Sequence, residues 1–148
     1  MPDVRIDKAT ADDSGAIAEF LERANLPIDG LPSHLPTTFV ARRNGRLVGT
    51  VALELYPDGA LLRSVAVDAS LRGHGLGHRL VEAAITDAEA RGVRAIYLLT
   101  TTAEQFFPRF GFVRITRDEV PASVRSSVEF TAACPASATV MRRRTDAT

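Results

Sequence analysis

With 148 residues, 45% of them apolar, the chain suits one globular domain around one core, and no apolar stretch is long enough to span a membrane. Eighteen basic and eighteen acidic residues cancel to a formal net charge of zero, which removes global electrostatic support for a nucleic-acid partner. Cys134 is the only cysteine, and His34, His74 and His78 share no ligand spacing with it or with carboxylates, so neither a disulfide nor a metal site is expected. Residues 1–8 hold no apolar run of signal-peptide type, so a cytoplasmic location is expected.

Residues 4–6 read as a short first strand. Thr10, followed by Ala11, Asp12 and Asp13, starts a helix as its N-cap with acids in the first turn, and Ile17, Phe20, Leu21 and Ala24 share one face. Residues 25–37 carry Pro27, Gly30, Pro32 and Pro36 and read as a loop with at most one helical turn. Strands over 39–42 and 47–55 flank Asn44-Gly45, a hairpin signal. Tyr56-Pro57-Asp58-Gly59 turns into a strand over 61–67. Leu76, Leu80, Ala83, Ala84 and Ala88 then form a helical stripe that stops at Gly92. Residues 95–100 read as an apolar strand, 103–110 as a short helix stopped by Gly111, and 112–116 as a strand. A helical turn over 120–127 and a closing strand over 138–142 complete the chain, with Arg142-Arg143-Arg144 as a solvated strand terminus. This order predicts an α/β (α+β) fold in a single domain over 1–148, a mixed and mostly antiparallel central sheet flanked by helices. A homodimer through an exposed sheet edge or the tail strand is compatible with it.

Arg72-Gly73-His74-Gly75-Leu76-Gly77 lies between the 61–67 strand and the following helix. Glycines at every second position let the backbone curl tightly and bring N–H groups close to a ligand. The unpaired N–H groups and positive end of the next helix favour a pyrophosphate, and Arg72 adds a charge at the mouth. The chain lacks the G-x-G-x-x-G and G-x-x-x-x-G-K-[ST] phosphate loops. The bland alternative is a tight strand-to-helix turn with no ligand.

Arg-x-x-Gly-x-Gly matches the acetyl-CoA signature of the GNAT superfamily of N-acetyltransferases, which this chain resembles over nearly its whole length. The segment 100–112, which includes Ala103, Phe106, Phe107, Gly111 and Phe112, resembles that family's A-x-x-F-[YF]-x-x-x-G-F stretch. Many relatives carry a tyrosine at the second aromatic, where it can protonate the leaving thiolate; here it is Phe107, which has no proton to give. The substitution makes the segment more similar to the acetyltransferase domain of N-acetylglutamate synthases. Residues 62–67 and the tail 129–138 resemble a small bacterial subgroup of arsenic-resistance acetyltransferases. The resemblance implies acetyl-CoA held by Val65, Ala66, Val67, the 72–77 turn and Phe107, with a backbone N–H of Val65 to Val67 facing the developing oxyanion.

Acetyl transfer to an amine needs a held thioester, a donor for the oxyanion and a neutral amine. An α-amino group costs roughly 1.4 kcal/mol to deprotonate at pH 7, a lysine side chain about 4.6 kcal/mol. Glu54, late in the third strand, is the candidate base, against a plain carboxylate on an exposed strand end. His34 reads as a solvated loop residue and Cys134 as a small packed one. Arg63 interrupts an apolar strand and needs an anionic partner. Two readings stay open for it: an internal salt bridge to Glu54 or Glu129, or a bidentate clamp on an acceptor carboxylate. Ser64 faces the other way unless a bulge intervenes, and Thr100 and Thr101 either line the same pocket or end their strand.

The expected activity is transfer of acetyl from acetyl-CoA to the amino group of a small amino acid or amino-acid-like compound, directly in a ternary complex. Acetylation of a protein N-terminus or lysine is the alternative within the enzyme class. A CoA-binding regulatory module without turnover is the alternative outside it, which Phe107 makes conceivable.

Overall fold

The computed structural model describes residues 4–127, 129–133 and 137–145. Its seven strands form one sheet in the order β1-β2-β3-β4-β5-β7-β6. β1 (Val4–Lys8), β2 (Thr38–Arg43), β3 (Arg46–Tyr56) and β4 (Gly59–Val67) make an antiparallel meander. β4 pairs in parallel with β5 (Ala95–Thr100), and β7 (Thr139–Arg144) lies antiparallel between β5 and β6 (Val113–Ile115). The sheet is therefore mixed and mostly antiparallel, as the element order predicts.

Helices cover both faces. α2 (Leu76–Ala90) presses Leu76, Leu80, Val81, Ala84, Ile85 and Ala88 onto Val51, Leu53, Leu62, Ile96 and Leu98. Val81 and Ile85 widen the predicted stripe, whereas Ala83 is only half-buried. On the other face α1 (Ser14–Arg23) buries Ile17, Phe20 and Leu21 against Val40 and Ala52. The short α3 (Ala122–Arg125) and the turns around it cover Leu61, Tyr97 and Val140 through Val120 and Val124. Each fully buried Leu or Ile stabilises the fold by about 1.5–3 kcal/mol, so two covered faces account for a sheet this continuous.

Local chemistry sets the boundaries. A 3₁₀ turn, Ala11–Asp13, precedes α1, and the Asp13 carboxylate accepts the Thr10 backbone N–H at 2.8 Å. That bond, foremost, and the ion pair with Arg42 hold the Asp13 carboxyl below its usual range. The helix expected over 103–110 does not form: turns lead into a 3₁₀ segment, Phe107–Phe110. Pro108 lacks the N–H an α-helix would use, and Gly111 at φ 90° ends the turn at once. β7 runs to Arg144, past the expected end, and its Arg143 is not simply solvated. Its Nε donates to the Phe110 carbonyl at 2.6 Å, and its Nη1 lies 3.4 Å from Glu89. Cys134 lies outside the described residues.

Candidate active site

The site begins with a fault in one ladder. Between β3 and β4, Thr50 pairs with Ala66 and Ala52 with Arg63, so Val51 faces both Ser64 and Val65. Ser64 sits at φ 60°, a left-handed conformation that costs an ordinary residue about 1–2 kcal/mol. The Thr50 hydroxyl holds the bulge by donating to the Ser64 carbonyl at 2.7 Å. The bulge expected as a condition for Ser64 is therefore present, and it bends β4 where its neighbour needs it bent. Parallel pairing with β5 runs only from Ala60–Ile96 to Leu62–Leu98 and stops one residue before Arg63.

Beyond that point β4 and β5 part, and a cleft of about 660 Å³ opens between them. One wall holds Arg63, Ser64, Val65, Ala66 and Val67; the opposite one holds Thr100, Thr101 and Phe107. Arg72, Gly73, Gly75, Leu76 and Gly77 close one end. Gly73 (φ 84°) and Gly75 (φ 81°) supply the left-handed turn that β4 needs to enter α2. Gly75 is the N-cap of α2 and offers no side-chain cap, so the first helical N–H groups point into the turn. The Arg72 guanidinium donates weakly, at 3.4 Å, to the Val67 carbonyl. Of the fifteen candidate site residues thirteen line the cleft, and His74 and Glu54 are the two that do not. His74 is exposed on the turn.

Glu54 instead ends in a buried cluster behind the wall. It is 1% exposed, and its carboxylate accepts from Ser127 Oγ, the Tyr56 hydroxyl and Arg63 Nη1, the last at 2.8 Å. Burial alone would raise its pKa, but those three hydrogen bonds and the neighbouring His34 outweigh burial and leave it below its usual value. A carboxylate so placed and so stabilised is a poor base, which corrects the sequence expectation. Burial, first, and the Glu54 hydrogen bond push the Tyr56 hydroxyl up to about 12. His34 is not a solvated loop residue: its Nε2 lies 3.9 Å from Glu54, and burial lowers its pKa from the usual value.

Of the two readings left open for Arg63, the structure contains the internal salt bridge. Nε donates to Ser64 Oγ at 3.2 Å, Nη1 to Glu54 and to the Asp29 carbonyl at 2.6 Å, and Nη2 to the Pro27 carbonyl at 3.0 Å. Nη2 also lies 3.3 Å from Glu129. Four hydrogen bonds and the Glu129 ion pair thus surround the guanidinium with groups of the chain itself. Arg63 ties the 25–37 loop and Glu129 to the β4 bulge, which makes it a brace in this conformation.

Phe107 is buried against Phe106 and Phe112, with ring centroids 5.2 and 5.8 Å away. The sequence reading missed several wall residues. Asn25, Leu26 and Pro27 line the end away from the turn together with Glu129, while His78, Phe106 and Arg109 flank the turn. His78 and Arg109 carried a usable signal, since one lies in the first turn of the helix after the cradle and the other follows Phe106 by one helical turn. Asn25 to Pro27 reach the wall only through tertiary packing.

A split between two parallel strands, a bulge on one of them and an uncapped helix N-terminus at its end suit a long ligand with an anionic head. The comparisons agree in fold. An N-acetylglutamate synthase from Neisseria gonorrhoeae, complexed with coenzyme A and N-acetyl-glutamate, superposes with a TM-score of 0.83 over 99% of this chain and 36% of that one, at 23% identity. The ribosomal-protein-S18-alanine N-acetyltransferase of Escherichia coli gives 0.74 over 99% and 96%, at 20% identity. In sequence, an amino-acid acetyltransferase of Mycobacterium tuberculosis is 38% identical over 81 residues, 54% of this chain and 46% of the relative. The chain thus spans less than half the length of that relative. The family model described as "Acetyltransferase (GNAT) family" matches residues 9–112, and the chain belongs to that family.

Proposed function

We propose that the protein transfers an acetyl group from acetyl-CoA to the amino group of a small amino acid or amino-acid-like compound, directly in a ternary complex. The observation that carries this reading is the cleft itself: β4 and β5 separate at Leu62–Leu98, immediately before the bulge and in line with the uncapped start of α2. The 72–77 turn would hold the pyrophosphate on backbone N–H groups, with Arg72 adding charge. The freed edge of β4 at Val65, Ala66 and Val67 would pair with the pantetheine arm as an added strand. A backbone N–H there would stabilise the oxyanion that develops as the amine attacks. Acetyl-CoA supplies the activated acyl carbon and the thiolate leaving group. Phe107, in the wall and without a hydroxyl, shapes the slot and moves no proton.

The names of the relatives support an amino-acid acceptor, and the N. gonorrhoeae protein was crystallised with an acetylated amino acid. An α-amino acceptor also needs only a weak base, because its deprotonation costs only about 1.4 kcal/mol at pH 7. The likeness of the tail to arsenic-resistance acetyltransferases extends the proposal to amino-acid analogues containing arsenic, in a cytoplasmic protein that forms homodimers. Thiol release from acetyl-CoA, measured over a panel of amino acids, an N-terminal peptide and a lysine peptide, tests the reading. Release with free amino acids supports it. Release with peptides alone moves the assignment to a protein acetyltransferase, and CoA binding without release of thiol moves it to a regulatory module.

A further inference from the structure

We propose that Arg109 reads the 3′-phosphate of coenzyme A, so that the cleft separates CoA from 3′-dephospho-CoA, a specificity that rests on the CoA-binding reading above. The nucleotide end of CoA carries two anionic groups, a pyrophosphate and a phosphate monoester on the ribose. The monoester holds about −1.5 to −2 charge at pH 7 and needs a cation of its own. The 72–77 turn and Arg72 serve the pyrophosphate. Among the described residues that line the cleft, Glu129 is the only carboxylate, and it lies at the far end, 3.3 Å from Arg63. The turn end holds Arg72, His78 and Arg109.

These three residues are not equivalent. Arg72 stays on the β4 side, with Nε 3.4 Å from the Val67 carbonyl. His78 is engaged by Glu82 at 3.3 Å and by the Phe110 ring. Arg109 comes from the opposite wall and is held in place. Its Nε donates to the Phe106 carbonyl at 2.9 Å, and its guanidinium carbon lies 4.7 Å from the centre of the Phe106 ring. That ring is itself wedged edge-on to Phe107 and Phe110, at 5.2 and 5.3 Å, and it faces the first turn of α2, where a Cβ on Gly77 would meet it at 3.5 Å. The guanidinium is therefore fixed beside the start of the helix. Its Nη1 and Nη2 make no hydrogen bond and no ion pair among the described residues, which leaves the fork that matches a phosphate bidentately. Arg109 is exposed, as this role requires. The pantetheine arm runs inward between β4 and β5, so the ribose and its monoester lie outward of the turn.

Calorimetric titration with CoA and with 3′-dephospho-CoA tests this. At low salt CoA should bind at least about tenfold more tightly, the scale of a charge-assisted hydrogen bond, and added salt should narrow the gap. Arg109→Gln should bring the two ligands to within about twofold by weakening CoA alone, and Arg109→Lys should recover part of the difference. Arg72→Gln should weaken both ligands alike and keep their ratio. Equal binding of the two ligands to the wild-type protein overturns the proposal and leaves the CoA site standing. A ratio that survives Arg109→Gln overturns it too, as does an Arg109→Gln loss shared equally by both ligands, which would place the guanidinium on the pyrophosphate. Binding of neither ligand would remove the CoA site and this proposal together. The wild-type comparison stays decisive if a variant does not fold. Thiol release is read separately: a protein that prefers CoA through Arg109 yet acetylates no amine would refute acetyl transfer and leave this specificity in place.

Discussion

Replacing Arg63 with methionine removes the cation that holds two carboxylates inside the protein. Glu54 is 1% and Glu129 5% exposed, so neither can recover the lost partner by turning into water. Removing one member of a buried ion pair costs about 3–5 kcal/mol, mostly from the charge left behind. For a domain of this size each kcal/mol lowers the melting temperature by about 2–4 °C, so Arg63→Met should melt roughly 6–20 °C lower. Arg63→Lys keeps the charge but offers three donors in place of five, and should fall between the two. Adding Glu54→Gln to Arg63→Met should recover part of the loss, because it removes one stranded charge. Activity should fall alike for an amino acid and for its carboxamide, since the brace shapes the pocket and holds no carboxylate of the acceptor. Thermal melts beside turnover with both acceptors provide the assay. A melting temperature within about 2 °C of wild type, with turnover lost for the acid alone, would refute the brace and restore the clamp.

Gly75→Val places a β-branched residue at φ 81° in the turn that enters α2, and CoA affinity measured by calorimetry should drop at least tenfold in a folded protein, on the order of 1.4 kcal/mol. Phe107→Tyr should leave turnover within a few-fold, because the site is organised without an acid; a large gain would show that proton delivery limits the rate. Stability should decline with acid in two stages. His34 is held below its usual 6.5, so the unfolded chain protonates first and stability falls as pH drops below about 6.5. Glu54 and Asp13 are held below 4.5 and 3.8, so their contributions persist above those values and are lost as pH falls through their lower folded pKa values. Urea midpoints across this range, with His34→Asn flattening the first stage, would check both signs.

Much of the fold was legible because period and punctuation agreed. Asn44-Gly45, the 72–77 turn and the stripe of α2 each specify their element through local chemistry alone. The exceptions have tertiary causes. Nothing local marks β7 for insertion between β5 and β6, and the 103–110 segment had helical spacing but a proline at the wrong place. In the site, the cradle was readable because backbone conformation is written in glycine. The acceptor end was not, because it is assembled from residues 25–27, 54, 63 and 129, whose meeting depends on the bulge. A lone arginine in an apolar strand announced that it needed an anion. Which anion, and whether it came from the chain or from a ligand, was a question of packing.

The central claim is that CoA lies in the gap between β4 and β5 with its phosphates on the 72–77 turn. A titration of the isotopically labelled protein with CoA, followed by backbone amide NMR, tests it directly. The largest shifts should fall on the amides of Val65, Ala66 and Val67 and of Gly73 to Gly77, with little change in β1 and β2. Shifts concentrated away from these residues, or none at saturating CoA, would contradict the account.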